Sequence, residues 1–172
     1  ADPSELLPVP GSTCLYLGAS SGGTVSHIHD MVCGADNHHG GQVVAVEISP
    51  RMVRDLVSLS ERRRGLVTVL GDARRPEEVA PFMRCKADWI HQDLSIADQA
   101  ETFVKMVNSF LSSEGVALLS LKAASERSSD GDVESRFTKA ERILEGSKLR
   151  LLERIDLSGL EEQHVVFVCV PR

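Results

Sequence analysis

The sequence predicts an α/β domain, a mostly parallel sheet with helices on both faces. Three observations carry that expectation. Short apolar, β-branched runs recur with helical patterns between them, the alternation of a parallel sheet covered on each side. A turn of small residues, Gly18-Ala19-Ser20-Ser21-Gly22-Gly23, joins the first apolar run to the first helical pattern. Successive runs then end at charged residues, Glu47, Asp72, Asp93 and Lys122.

Strands are expected over 13–17, 42–47, 66–70, 87–92, 116–121, 149–155 and 164–170, and helices over 24–32, 50–63, 98–111 and 132–145. The first run leads into the small-residue turn, and a helix opens straight after it at Thr24. The second, Val43-Val44-Ala45-Val46-Glu47, is closed by an acid. The third ends in Gly71-Asp72-Ala73-Arg74, the fourth in Ile90-His91-Gln92-Asp93-Leu94 and the fifth in Ser120-Leu121-Lys122-Ala123. In the last helix Val133, Phe137, Ala140 and Leu144 recur at spacings of three and four, so one apolar stripe faces the sheet. The sixth and seventh strands lie close together near the C-terminus. Loops are expected over 33–41, 123–131 and 158–163; the Ser/Asp/Gly-rich part of the second, 125–131, follows a strand end, where mobile active-site loops are common. No internal repeat or low-complexity stretch divides the chain, so 1–172 reads as one domain.

At 172 residues, with 42% hydrophobic and 26% charged residues, the chain is long enough for a sizeable core and too apolar for disorder. No apolar run approaches the roughly 18 residues that span a bilayer, so no membrane association is expected. Ala1-Asp2-Pro3-Ser4-Glu5 lacks the basic and apolar regions of a signal peptide and reads as the trimmed edge of a longer protein. Cys14, Cys33, Cys85 and Cys169 show no C-x-x-C spacing, and two of them sit in strand-like runs as small hydrophobes. That is the pattern of a reduced, intracellular protein. The net charge of −6 argues against an unaided grip on nucleic acid, where phosphate neutralisation supplies most of the affinity. An RNA substrate would need a partner to deliver it.

The small-residue turn admits two readings. Gly18, Ser20 and Gly22 form G-x-S-x-G, the nucleophile elbow of a hydrolase, with Ser20 attacking and His164 as base. That elbow needs several strands laid down before it, whereas this turn follows the first strand. The other reading is a nucleotide-type cofactor site, in which Gly18 and Ala19 let the backbone approach the ligand and the helix N-terminus offers its N–H groups. The next strand ends support it. Glu47 is placed to accept both ribose hydroxyls of an adenosine, although it lies beyond the roughly 20-residue offset of dinucleotide folds. Asp72 can hold an adenine amino group while Ala73 leaves room for the ring. The loop is not G-x-G-x-x-G, which a pyrophosphate needs and a methyl donor such as S-adenosylmethionine does not. Asp93 and Lys122 suit transfer to a hydroxyl: an ammonium favours the deprotonated oxygen and a carboxylate orients it.

These residues resemble the fibrillarin family, S-adenosylmethionine-dependent RNA 2′-O-methyltransferases of box C/D guide ribonucleoproteins. The matching stretches are LYLGASSGGTVSHIHDMV, VVAVEIS, GDARRPEEV, QDLSIADQA, SLKA and EEQHVVFV, in family order over nearly the whole chain. The resemblance implies a class I, Rossmann-like methyltransferase fold with seven strands, the last antiparallel. It implies cofactor contacts at Gly23, Thr24, Glu47, Ile48, Asp72, Ala73, Asp93, Leu94, Ser95 and Ile96, and a catalytic set matching Asp93, Lys122 and His164. It also implies guide RNA, an rRNA target and scaffold proteins as partners. The chain departs from the family where Gln163 stands for an Asp and Ser95-Ile96 for Ala-Gln. The family's upstream R-S-K-L segment with a further lysine and its Gly/Arg-rich tail are not in these residues, and loop 33–41 is longer than usual.

Other features have simpler readings. His27, His29, Cys33, His38 and His39 show no metal-ligand spacing, and no metal is expected. Arg62-Arg63-Arg64 reads as the solvated end of a helix, with an RNA- or partner-facing patch including Arg74 and Arg75 as the rival. Trp89 reads as core. The function expected is methyl transfer from S-adenosylmethionine to RNA ribose within a guide particle, in the nucleolus of a eukaryote or the cytoplasm of an archaeon. The alternatives are protein (histone glutamine) methylation and a non-catalytic cofactor-binding subunit of a ribonucleoprotein.

Overall fold

A computed structural model describes residues 2–157 and 163–172. Seven strands form one sheet in the order β3-β2-β1-β4-β5-β7-β6. They are β1 (Thr13–Leu17), β2 (Gln42–Glu47), β3 (Leu66–Leu70), β4 (Ala87–Asp93), β5 (Leu111–Lys122), β6 (Leu149–Asp156) and β7 (His164–Pro171). The helices are α1 (Gly23–Val32), α2 (Pro50–Ser60), α3 (Pro76–Val79), α4 (Gln99–Phe110) and α5 (Val133–Glu145). β7 pairs antiparallel with both β5 and β6, while β1 to β5 pair in parallel.

β1 is central and buried along its whole length, which is why its sequence is a continuous apolar run rather than an alternation. Leu15 and Leu17 pack with Val44, Val46 and Ile90 on the face covered by Phe103, Met106 and Val107 of α4 and by Phe137, Ala140 and Leu144 of α5. Cys14 and Tyr16 point to the other face, with Val43 and Ala45, under Val25, Ile28 and Val32 of α1 and Leu56 of α2. Trp89 is core as expected, 3% exposed, its indole N–H donating to the Leu6 carbonyl at 2.9 Å. Cys14 and Cys169 are buried as small hydrophobes, and burial pushes both thiols up.

The first three strands have the expected limits; the other departures are local. α2 stops at Ser60 rather than 63, because 61–65 turn back on main-chain bonds such as Leu66 N–H to the Arg63 carbonyl at 3.1 Å. β5 starts at Leu111, where α4 was expected to end, and pairs there with Ala87. α3 is only four residues, too short to show a helical period. Loop 123–131 holds two 3-10 turns and is tied down by ion pairs from Arg127 to Asp98 and Lys139 to Asp130. The expected loop 158–163 lies outside the described residues except for Gln163, which is in the left-handed region at φ 63. The topology brings the C-terminal ends of β1 to β5 to one rim, and the reversed β7 starts there with His164.

Candidate active site

The rim begins with the turn after β1. Gly18 sits at φ +89, and a Cβ on it would lie 2.0 Å from the Asp93 carbonyl oxygen, so only glycine lets β1 end against β4. Its N–H and that of Ala19 donate to the Val46 carbonyl at 2.9 and 3.0 Å. Ala19 is 5% exposed and packs in the core under α1, so its methyl is not part of the cleft. At Gly22, the cap of α1, no side chain accepts from the first helical N–H groups, and the space a side chain on Gly23 would fill is empty. An open N-terminus of this kind suits an anionic group such as a carboxylate.

Glu47, at the end of β2, straps the turn in place. One carboxylate oxygen accepts the Ser20 N–H at 2.8 Å and the other the Ser49 N–H at 2.9 Å. Each oxygen keeps a second acceptor direction for a ligand hydroxyl. Gly18, Glu47, Ile48, Asp72, Ala73, Leu94 and Ile96 line one cleft together with Val46, Gly71 and Arg74. Its walls are largely apolar; Ile48, 60% exposed, stands at its edge. Asp72 is held by Arg74, whose Nε is 2.9 Å from one carboxylate oxygen and whose terminal nitrogen is 2.9 Å from the other. That guanidinium holds Asp72 below the usual carboxylate range, against the opposing effect of burial. Sequence patterning assigned Arg74 only to a possible surface patch; the structure makes it a wall of the cleft.

The part of the rim beyond the cleft is built from β4, β5 and β7. Lys122 Nζ lies 2.8 Å from Asp93 Oδ1 and donates to Ser95 Oγ at 3.3 Å. His164 stands opposite Lys122 in the β5–β7 register. Beneath them sits a polar layer that sequence patterning missed. His91 Nε2 is 2.7 Å from Ser120 Oγ, and its ring meets Tyr16 edge-on. Burial pushes His91 down to about 4, with Lys122 adding to the effect and Asp93 opposing it. Burial, and then Asp93, push Tyr16 up to about 12. Both are therefore neutral near pH 7, and the charged groups of this part of the rim are Lys122 and Asp93.

The remaining candidates fall elsewhere. The Ser20 hydroxyl faces Met52 Sδ at 3.9 Å, and its backbone serves Glu47, so the turn is not built as a Ser–His pair. A wider depression, about 510 Å³, opens at the other rim beside His29, Asp30 and Arg62 to Arg64. There Arg63 bonds Asp30 and the Ser26 carbonyl, so the arginine run lies across the sheet from Lys122. Among the described residues no three His, Cys, Asp or Glu side chains are grouped to hold a metal ion.

Comparison with known proteins gives this geometry relatives. The Fibrillarin family model matches residues 4–172. A fibrillarin-like rRNA/tRNA 2′-O-methyltransferase of Thermococcus gammatolerans is 38% identical over an alignment of 161 residues that covers 92% of this chain and 67% of that protein. Aeropyrum pernix fibrillarin, solved with natively bound S-adenosyl-L-methionine, superposes with a TM-score of 0.79 at 29% identity, covering 94% of this chain and 67% of that one. The chain in a fibrillarin/Nop5p complex superposes at 0.82 and 28%, covering 94% and 73%.

Proposed function

The chain belongs to the fibrillarin family, and from that premise we propose that it transfers methyl groups from S-adenosylmethionine to ribose 2′-hydroxyls of RNA. The observation that carries this reading is the Asp93–Lys122 pair, 2.8 Å apart, on the same strand-end rim as the cleft lined by Gly18, Glu47 and Leu94. The residues fit the cofactor: an open helix N-terminus for a carboxylate, a strand-end acid for ribose and an apolar slot for a purine. When bound, S-adenosylmethionine supplies a methyl on a sulfonium, a good leaving group that departs as a neutral thioether. The protein's part is then alignment and exclusion of water.

Glu47 holds the ribose, and Gly23 and Thr24 hold the amino-acid end. Leu94, Ile96 and Ala73 enclose the base beside Asp72. Lys122 stands where an acceptor hydroxyl enters, and its ammonium lowers the cost of developing negative charge on that oxygen as the proton leaves. Asp93 orients Lys122, and His164 completes the acceptor side. A net charge of −6 fits an RNA brought by others. A scaffold protein brings the chain to its RNA, a reading supported by the existence of a fibrillarin/Nop5p complex, and box C/D guide RNA selects the rRNA ribose. In a eukaryote that work belongs to the nucleolus, in an archaeon to the cytoplasm.

The test is Lys122→Ala. Affinity for S-adenosylmethionine, by calorimetric titration, is expected to stay within about twofold while transfer to RNA falls at least ~100-fold, the range of a lost acid–base or electrostatic group. Transfer at the unchanged rate would remove Lys122 from the mechanism.

A further inference from the structure

Lys122 is held at its head by Asp93 and Ser95, but it is also gripped at its backbone. β4 ends at Asp93, paired with Ser120, so the next peptide along that edge of β5 has no strand beside it. One side chain takes the strand's place. Gln99, fully buried at the start of α4, accepts the Lys122 N–H on its amide oxygen at 2.9 Å. Its amide nitrogen donates to the Lys122 carbonyl, also at 2.9 Å. A primary amide presents an acceptor oxygen beside a donor nitrogen, a pairing that an ionised carboxylate cannot reproduce, and its nitrogen carries a second N–H for another acceptor.

The amide's direction is set from the far side. Glu126, on the loop after β5, accepts the Gln99 amide N–H at 2.8 Å and the Gln99 main-chain N–H at 3.3 Å. A carboxylate only accepts, so the nitrogen of the amide must face it and the oxygen must face the Lys122 N–H. Glu126 thereby caps α4 as well, since Asp98 at the cap position makes no such bond. Burial pushes the Glu126 carboxyl up, and its bonds from Gln99 pull the other way. Gln92, also fully buried, donates to the Gln99 carbonyl at 2.8 Å and fixes the main chain of the clamp.

We propose that Gln99 is the positioning residue of this site: its amide extends β4 by one pseudo-residue and sets where Lys122 presents its ammonium, with Glu126 choosing the amide's orientation. The proposal rests on the role given to Lys122 above. It also ties the start of α4 and the loop after β5 to the acceptor end, so a disturbance in either reaches Lys122 without touching the cofactor cleft.

A swap tests it in the assembled guide particle. In Q99E a carboxylate faces two acceptors, the Lys122 carbonyl and Glu126; adding E126Q returns a donor to the second contact. Q99E is expected to lower kcat roughly 100-fold, the effect of an ångström-scale misplacement, with affinity for S-adenosylmethionine within about twofold. The double variant Q99E/E126Q is expected to recover part of that loss, because the contact at 126 regains a donor while the Lys122 carbonyl still faces a carboxylate. Hydrogen exchange of the Lys122 amide, followed by NMR in the chain alone, should quicken in Q99E and slow again in the double variant. A folded Q99E with unchanged kcat, or a double variant as slow as Q99E, overturns the proposal. Should Q99E not fold, E126A asks the same question, with an expected loss in kcat of about tenfold and retained cofactor affinity; an unchanged kcat there overturns it too. If wild type binds S-adenosylmethionine yet methylates no RNA, the proposed function fails, and the exchange measurement still decides the clamp.

Discussion

Glu47 has two tasks at once, and its substitution separates this site from a generic strand-end acid. Its carboxylate accepts the Ser20 and Ser49 N–H groups, which fixes the floor of the cleft before any ligand arrives. Glu47→Ala is expected to weaken S-adenosylmethionine binding roughly 10- to 100-fold, one charge-assisted hydrogen bond or so at about 1.5–3 kcal/mol, measured by titration. An affinity unchanged by that substitution would put the ribose elsewhere. His91 gives a pH signature. Its folded value, about 4, lies below the 6.5 of an unperturbed imidazole. Between the two the unfolded chain binds more protons, so the stability this group contributes is whole above about 6.5 and is lost as pH falls toward 4. In His91→Gln, urea unfolding at pH 7 and pH 5 is expected to differ less than in wild type; an equal difference would mean that His91 takes up its proton freely in the fold.

At the scale of elements, the turns decide more than the helices. Gly18→Ala forces a side chain toward the Asp93 carbonyl from a positive φ and is expected to cost about 3 kcal/mol or more, read as a melting temperature lower by roughly 6–12 °C. Gly23→Ala meets empty space and sits in a helix. Its stability is expected to hold within about 0.5 kcal/mol while cofactor affinity drops, because the added methyl occupies the ligand's approach. Equal melting temperatures for both variants would contradict the strand-end geometry. What the sequence made legible follows from the same physics. Short β-branched apolar runs such as 13–17 and 42–47, bounded by turn residues, read as strands buried on both faces, and charges such as Glu47 that close several of them mark one rim. The α4–β5 junction was not legible, because Phe110 and Leu111 are apolar under either structure. α3 is shorter than any period. Gln99 sits 23 residues from Lys122 in sequence, and although Glu126 follows Lys122 closely, no local pattern distinguishes a buried clamp from a helix-start glutamine.

For the whole molecule, binding and stability are one equilibrium. At S-adenosylmethionine concentrations about 100 times Kd, linkage stabilises the fold by about 2.7 kcal/mol, a rise of roughly 5–10 °C in melting temperature for a domain of this size. Glu47→Ala should show a smaller rise and Lys122→Ala the full one; no shift in wild type would remove the cofactor from the account. The net charge of −6 supports the proposal that partners choose the target while this chain supplies the chemistry. The most direct test of that division is nucleoside mass spectrometry of the guided RNA after incubation of the reconstituted particle with S-adenosylmethionine. A 2′-O-methylated nucleoside at the guided position with wild type, and none with Lys122→Ala at equal cofactor occupancy, is the result expected. RNA left unmodified by cofactor-loaded wild type, or modified equally by the variant, would contradict it.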